Sequence, residues 1–328
     1  MKKAMFKDLV YAFICLSLIV ASFSSSWAAE KKYPSRTIEI ICSMPPGGPI
    51  DLLARMLTSR FEKEFGIPVV AVNKPGGGGS LAGGILAKAP PDGYTLALMA
   101  ETSILMPILL KEAPFTLKDF NVIGQINQGF ATFFVVPPDS PWKTFKEFVD
   151  YAKQNPGVRC GHPPNTTTTA LKMSYINKAA KLGLVGVPFK SDPEVYTAIL
   201  GKHVPIVAAG VSGLKGLSEA GKVRVLFSFY PAADIGLDPA IPNYKTFFGE
   251  EPIDFPAHLW APANTPIETV RTLRSALEKI VKSSGFESDL EKIQLKPYFM
   301  DGDIIMKKVL PNSEKNLKII LTDIGLMK

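Results

Sequence analysis

Apolar and polar positions along this chain follow two alternating periods. Ile38-Glu39-Ile40-Ile41-Cys42 is a short apolar run and predicts a buried strand. Pro45-Pro46-Gly47-Gly48 breaks it. Asp51 then caps a predicted helix whose apolar positions, Leu52, Leu53, Met56, Leu57, Phe61 and Phe65, recur at helical spacing. Gly66 stops that helix. A second strand covers 69–72, a glycine loop 75–79, a helical run 81–88, a Pro-Pro-Asp-Gly turn 90–93 and a third strand 94–99. The alternation resumes with a strand over 131–136, a helix over 144–153, a strand within 181–189, a helix over 192–200 and strands over 204–209 and 223–229. Two helices close the chain, 266–283 and 305–321. The first opens on the capping box Thr265-Pro266-Ile267-Glu268, with proline at its first position. Strands separated by single helices predict an α/β fold with parallel sheets covered on both faces.

The N-terminus reads differently. Lys2, Lys3 and Lys7 precede an apolar run over 9–21, and Ser26-Trp27-Ala28 places small residues at −3 and −1 of a cut after Ala28. This is the layout of a cleaved signal peptide over 1–28. The run of 13 residues is short of the roughly 20 that span a bilayer. Cys15 lies inside it as a signal-core residue. Export to the periplasm follows, with no membrane insertion after cleavage. The remaining 300 residues suit two domains better than one. Cleavage takes three lysines and one aspartate from a chain of net charge +7 and leaves +5. That charge is spread out with no polybasic block, so nucleic acid is not an expected partner. A mild positive field does favour anionic ligands. Cys42 and Cys160 are far apart and form no CxxC. They are either one disulfide or two buried thiols, and two buried thiols is the simpler reading.

Catalytic patterns are sparse. The histidines, His162, His203 and His258, form no HExxH, and His162 with Cys160 is too small a set for a metal. Gly210-Val211-Ser212-Gly213-Leu214 misses the last glycine of GxSxG, and no phosphate-cradling P-loop occurs. Gly77-Gly78-Gly79-Ser80-Leu81-Ala82 fits GxGxxA, with Glu101 about 20 residues on. Lys74-Pro75 spoils its tight turn, and an exported protein has little access to nicotinamide cofactors. No cofactor, metal or catalytic residue is therefore expected. Two loops are better placed. Ser43-Met44-Pro45-Pro46-Gly47-Gly48 runs from a strand end into a helix N-terminus, where free N–H groups and a partly positive end hold a carboxylate without arginine. Gly161-His162-Pro163-Pro164-Asn165-Thr166-Thr167-Thr168-Thr169 offers an amide and four hydroxyls at another helix start. Facing each other across a cleft, they would form a pincer.

Several segments, in order, carry a family resemblance: Tyr33-Pro34-Ser35-Arg36-Thr37-Ile38, Pro45-Pro46-Gly47-Gly48 with Asp51, Asn73-Lys74-Pro75-Gly76, and Ala89-Pro90-Pro91-Asp92-Gly93-Tyr94-Thr95. Gly161-His162-Pro163-Pro164-Asn165, Val187-Pro188-Phe189-Lys190 and Ala261-Pro262-Ala263-Asn264-Thr265-Pro266 extend it. Together they resemble the substrate-binding proteins of tripartite tricarboxylate transporters, the Bug or TctC family. The resemblance implies a type II periplasmic-binding-protein-like fold, two α/β domains with a ligand cleft between them. One domain would be 29–125 plus 255–328 and the other 126–254. It implies a monomeric periplasmic receptor for a small-molecule ligand, a carboxylate or related acid, with membrane transporter subunits as partners and no enzymatic activity. The alternatives are a secreted hydrolase or oxidoreductase, and an orphan binder or sensor component.

Carried over, the ligand-binding residues would be Met44, Gly47, Gly48 and Asp51 on one side and His162, Asn165, Thr166, Thr167 and Thr168 on the other. Glu101, Thr102 and Ser103 would line the cleft at a strand end. The chain departs from the family at Met44, at Pro49-Ile50, at His162, near Pro205 and Ala209, and at Pro256-Ala257-His258. Glu101 matters most, because a carboxylate in the cleft repels a carboxylate ligand. Either the ligand also carries an amine, amide or ring nitrogen, or Glu101 pairs with a nearby lysine.

Overall fold

Short apolar strands followed by capped helices build two five-stranded sheets. The computed structural model describes residues 33–165, 167–211, 213–250, 252, 254–323 and 325–327, so the signal peptide read over 1–28 lies outside it. Everything described below belongs to one packed unit, Arg36–Lys328. The first sheet has the order β2-β1-β3-β10-β4, with β1 Ile38–Cys42, β2 Val69–Asn73, β3 Thr95–Ala100, β4 Phe120–Gln125 and β10 Ala257–Pro262. The second has the order β7-β6-β8-β5-β9, with β5 Phe133–Val136, β6 Arg159–His162, β7 Val185–Pro188, β8 Ile206–Ala209 and β9 Arg224–Ser228.

The two sheets repeat one plan. Three strands run parallel, the fourth runs against them, and the fifth is parallel to the first three. The expectation of wholly parallel sheets is thereby corrected. The reversed strands, β10 and β5, are those by which the chain arrives from the other sheet, so no βαβ crossover fixes their direction. Each sheet has its own core. In the first, Trp260 is fully buried, donates its indole N–H to Met99 O at 3.1 Å and meets Phe120 edge-on. In the second, Phe134, Phe145 and Phe227 pack together, tilted or edge-on to one another, on the buried side of α4, Phe145–Gln154.

Helices α1 (Pro49–Phe65), α2 (Ser80–Ala87) and α3 (Glu101–Leu109) follow the first three strands. After β6 comes α5, Thr168–Ala179, and after β7 comes α6, Asp192–Leu200. Residues 101–103 are thus the first turn of a helix, where a strand end was expected. The helical run 101–109 contains Pro107, and its apolar character masks its period in the sequence. Cys42 and Cys160 are free, buried thiols on β1 and β6, and burial pushes Cys160 up to about 12.

The two stretches that link the sheets are tied to each other. Ile126 N–H donates to Ala257 O at 3.2 Å. Asn127, fully buried, accepts Ala257 N–H at 2.9 Å and donates to Gly129 O at 2.9 Å. Lys172, only 2% exposed, reaches from α5 to Phe130 O at 2.8 Å and to the Asp254 carboxylate at 2.7 Å. Gly129 has φ +150°, and a Cβ there would lie 1.5 Å from Asp254 Oδ2, so only glycine fits. Leu171, the neighbour of Lys172, is buried in the core of the first sheet. Helix α5 is therefore anchored on both sides.

Asn127→Ala leaves the Ala257 N–H and the Gly129 carbonyl without their buried partner. Each such group costs about 1–3 kcal/mol. A urea titration should show the midpoint falling by an amount in that range or above it. An unchanged midpoint would show that the tie between the crossings contributes nothing.

Candidate ligand-binding cleft

Helix starts from both sheets converge on one cavity of about 740 Å³, open to solvent at its mouth. From the first sheet it is lined by Met44, Pro49, Ile50, Gly78, Thr102 and Ser103. From the second come Ala131, Thr167, Thr168, Thr169, Asp192 and Val211, and Phe130 lies at the crossing between them. The walls are largely apolar, with a band of hydroxyls. Among the described residues no Lys, Arg or His lines it, and the one charged lining residue is Asp192.

The first loop is held from within. Asp51 is buried and turns back toward its own loop. It accepts Gly47 N–H at 2.9 Å, Arg55 Nε at 3.1 Å and the Asn73 amide at 2.8 Å. Asn73 also donates to Met44 O at 3.0 Å. Burial alone raises the Asp51 carboxyl, but Arg55, Gly47 N–H and Asn73 outweigh it and hold it below the usual carboxylate range. Gly47 sits at φ +86°, a conformation that favours glycine, and lets the loop double back to Gly48, the cap of α1. Proline at the first helical position has no N–H, so Ile50 and Asp51 carry the free donors of that turn.

The other two helix starts are built alike. Glu101 N–H is tied to Pro256 O at 3.1 Å, which sets α3 against the second crossing and brings Thr102 and Ser103 to the cavity wall. Ser103 also lies within 3.5 Å of Ser43, linking that turn to the first loop. At α5, Thr167 caps the helix by accepting Ala170 N–H at 3.2 Å, and its own hydroxyl donates to Pro164 O at 2.8 Å. Thr168 and Thr169 follow as the first helical residues.

The residues singled out from the sequence thus separate. Met44, Thr102, Ser103, Thr167 and Thr168 come together on the cavity. Gly47, Gly48 and Asp51 shape the loop but do not line the cavity. Thr166 lies outside the described residues. His162 and Asn165 border a different hollow beside β7. His162 is 3% exposed, donates Nδ1–H to Pro163 O, and burial lowers its pKa.

Glu101 requires the plainest correction. It is fully buried and pairs with His258 Nε2 at 2.7 Å beneath the cavity. No lysine is its partner. The chain supplies the histidine from β10, at the second position of that strand. The carboxylate that does line the cavity, Asp192, was read only as a helix start. Its pairing across 18 residues with the end of β8 has no short-range signal.

Two α/β lobes, two tied crossings and a cleft of helix N-termini and hydroxyls define a solute-binding protein of the periplasmic-binding type. The chain matches the model of the tripartite tricarboxylate transporter family receptor over residues 53–326, and it belongs to that family. It is 32% identical to the UPF0065 protein in the gbd 5' region of Cupriavidus necator, over 92% of this chain and 91% of that one. Among solved structures it is similar to a TctC solute binding protein from Polaromonas, without ligand, at 25% identity and TM-score 0.73, covering 88% of this chain and 99% of that chain. It shares its fold with MatC from Rhodopseudomonas palustris with bound malate, at 19% identity and TM-score 0.73, covering 88% of this chain and 100% of that chain. As a receptor of this family the chain is a binding protein, not an enzyme. No described helix is long and apolar enough to cross a membrane.

Asp51 gives a pH test of the first loop. A carboxyl held low in the folded chain contributes stability above its unfolded pKa, and that stability is lost as pH falls through the folded value. Asp51→Asn should therefore lower the melting temperature at pH 7. The gap to the parent protein should close as pH drops below the usual carboxylate range. A gap that is constant down to pH 3 would contradict the role given to this carboxylate.

Proposed function

We propose that this chain is a periplasmic receptor that captures a small organic acid in the cleft and delivers it to a tripartite tricarboxylate-type transporter. Its lobes are 29–125 plus 255–328 and 126–254, and it acts as a monomer. One observation carries the reading. The N-termini of α1, α3 and α5 converge on a cavity with no cationic side chain among its described lining residues. The first turn of a helix has unsatisfied N–H groups and a partial positive charge, and this binds a carboxylate without a counter-ion side chain. Thr102, Ser103, Thr168 and Thr169 add hydroxyls that donate to the same oxygens. Malate, held by the fold relative from Rhodopseudomonas palustris, is an acid of the proposed class. The mild positive charge of the chain attracts such ligands from a distance.

Binding to the folded state alone stabilises it by about 2.7 kcal/mol at a ligand concentration of a hundred times Kd. Small carboxylates should therefore raise the melting temperature by several degrees, with no chemical change in the ligand. Replacing Thr102 and Thr168 together by valine removes two hydroxyl donors and keeps their shape. Each lost bond costs about 0.5–1.5 kcal/mol, so calorimetry should show affinity falling by about 5- to 150-fold. The reading fails if no small acid stabilises the protein, or if the double variant binds as tightly as the parent.

A further inference from the structure

The cleft contains one carboxylate that the acid-binding reading does not use. Asp192 is the first residue of α6, half-buried, and it lines the cavity. Its Oδ1 accepts Gly210 N–H at 2.9 Å. Tyr196, one turn later on α6, donates its hydroxyl to Gly210 O. The Gly210 peptide at the end of β8 is thus gripped from both sides, and the carboxylate is fixed in position. No described residue bonds or pairs with Asp192 Oδ2.

The chemistry of that oxygen selects a partner. Burial pushes the Asp192 carboxyl up, and the Gly210 N–H offsets only part of that rise. With no lysine, arginine or histidine among the described residues of the cavity lining, a complement for it would arrive with the ligand. An ionised carboxylate is an acceptor only. It repels a second carboxylate placed beside it and attracts an ammonium group. A dicarboxylate is therefore poorly matched to this cavity, because one of its ends finds helix N-termini and the other finds Asp192.

We infer that Asp192 is the specificity-determining residue of the cleft and that it selects acids carrying an ammonium or other N–H donor group. The inference rests on the acid-binding reading above and narrows it. The ligand then has three parts. Its carboxylate meets the helix starts of Thr102-Ser103 and Thr168-Thr169, its N–H donor meets Asp192, and its body lies against Met44, Ile50 and Val211. The amine expected from Glu101 in the sequence is restored on different grounds, since Glu101 itself is occupied by His258.

The test is calorimetric titration of the full mature chain with matched pairs of acids: succinate and aspartate, valerate and 5-aminovalerate, 3-phenylpropionate and phenylalanine. The parent protein should bind the amine-bearing member of at least one pair tenfold or more tightly. Asp192→Asn keeps an oxygen for Gly210 N–H and removes the charge. It should lose at least tenfold for that member and bring the pair to within about threefold. Gly210→Ala is the second variant. Its Cβ would lie 2.9 Å from Asp192 Oδ2, so it shifts the carboxylate without removing it, and the preference should shrink. A preference that survives both variants overturns the role of Asp192. Preference for the amine-free members overturns the inference and leaves the acid-binding reading standing. Binding of no member of any pair overturns both.

Discussion

The ammonium of Lys172 holds this fold in register. It lies between the Asp254 carboxylate and the Phe130 carbonyl, one from each crossing, and is almost wholly buried. Burial pushes the lysine down and the aspartate up, and each opposes the other's shift. Such a pair is a weak source of stability, because both charges leave water. Its value lies in geometry. Lys172 stands in the second turn of α5, so fixing it fixes Thr167, Thr168 and Thr169 at the start of the same helix. Gly129 is required beside it because any side chain would strike Asp254. Glu101 and His258 form the next buried pair along, and Glu101 opens α3. Two buried pairs thus place two of the three helix starts that make the cleft.

The cleft itself follows from an accounting of hydrogen bonds. A helix start has donors that its own backbone cannot satisfy. The starts of α1, α3 and α5 open on one cavity whose described lining offers hydroxyls, apolar surface and the Asp192 carboxylate, and no cation. In the proposed reading, the oxygens of an acid complete those bonds. Asp51 shows the same logic one layer out, since its carboxylate satisfies the Gly47 N–H and the Asn73 amide and keeps the first loop closed. The apolar remainder of the wall supplies affinity for a ligand body without fixing its chemistry.

Much of this was legible in the sequence. The strand at 38–42 and the glycine loop stand where the apolar run and the breakers put them, whereas the first helix begins at Pro49 with Gly48 as its cap and Asp51, expected as the cap, inside its first turn. What escaped was non-local. The reversal of β5 and β10 depends on which sheet the chain has just left, and no residue pattern within the strands records it. The helix over 101–109 is apolar on nearly every side, so it has no period to read. Glu101 looked like a cleft residue because its partner, His258, is 157 positions away. Asp192 reads in the sequence only as the start of a helix, and neither its bond to Gly210, 18 positions away, nor its place in the cavity wall has a local signal. Polar residues advertise that they need partners; the sequence does not name those partners.

The most direct test of the account is a crystal structure of the mature chain with a bound small acid. The account predicts a carboxylate within hydrogen-bond distance of the N–H groups or hydroxyls at Thr102-Ser103 or Thr168-Thr169, with no lysine or arginine side chain against it. An acid bound elsewhere, or held in the cleft by a cationic side chain, would contradict it.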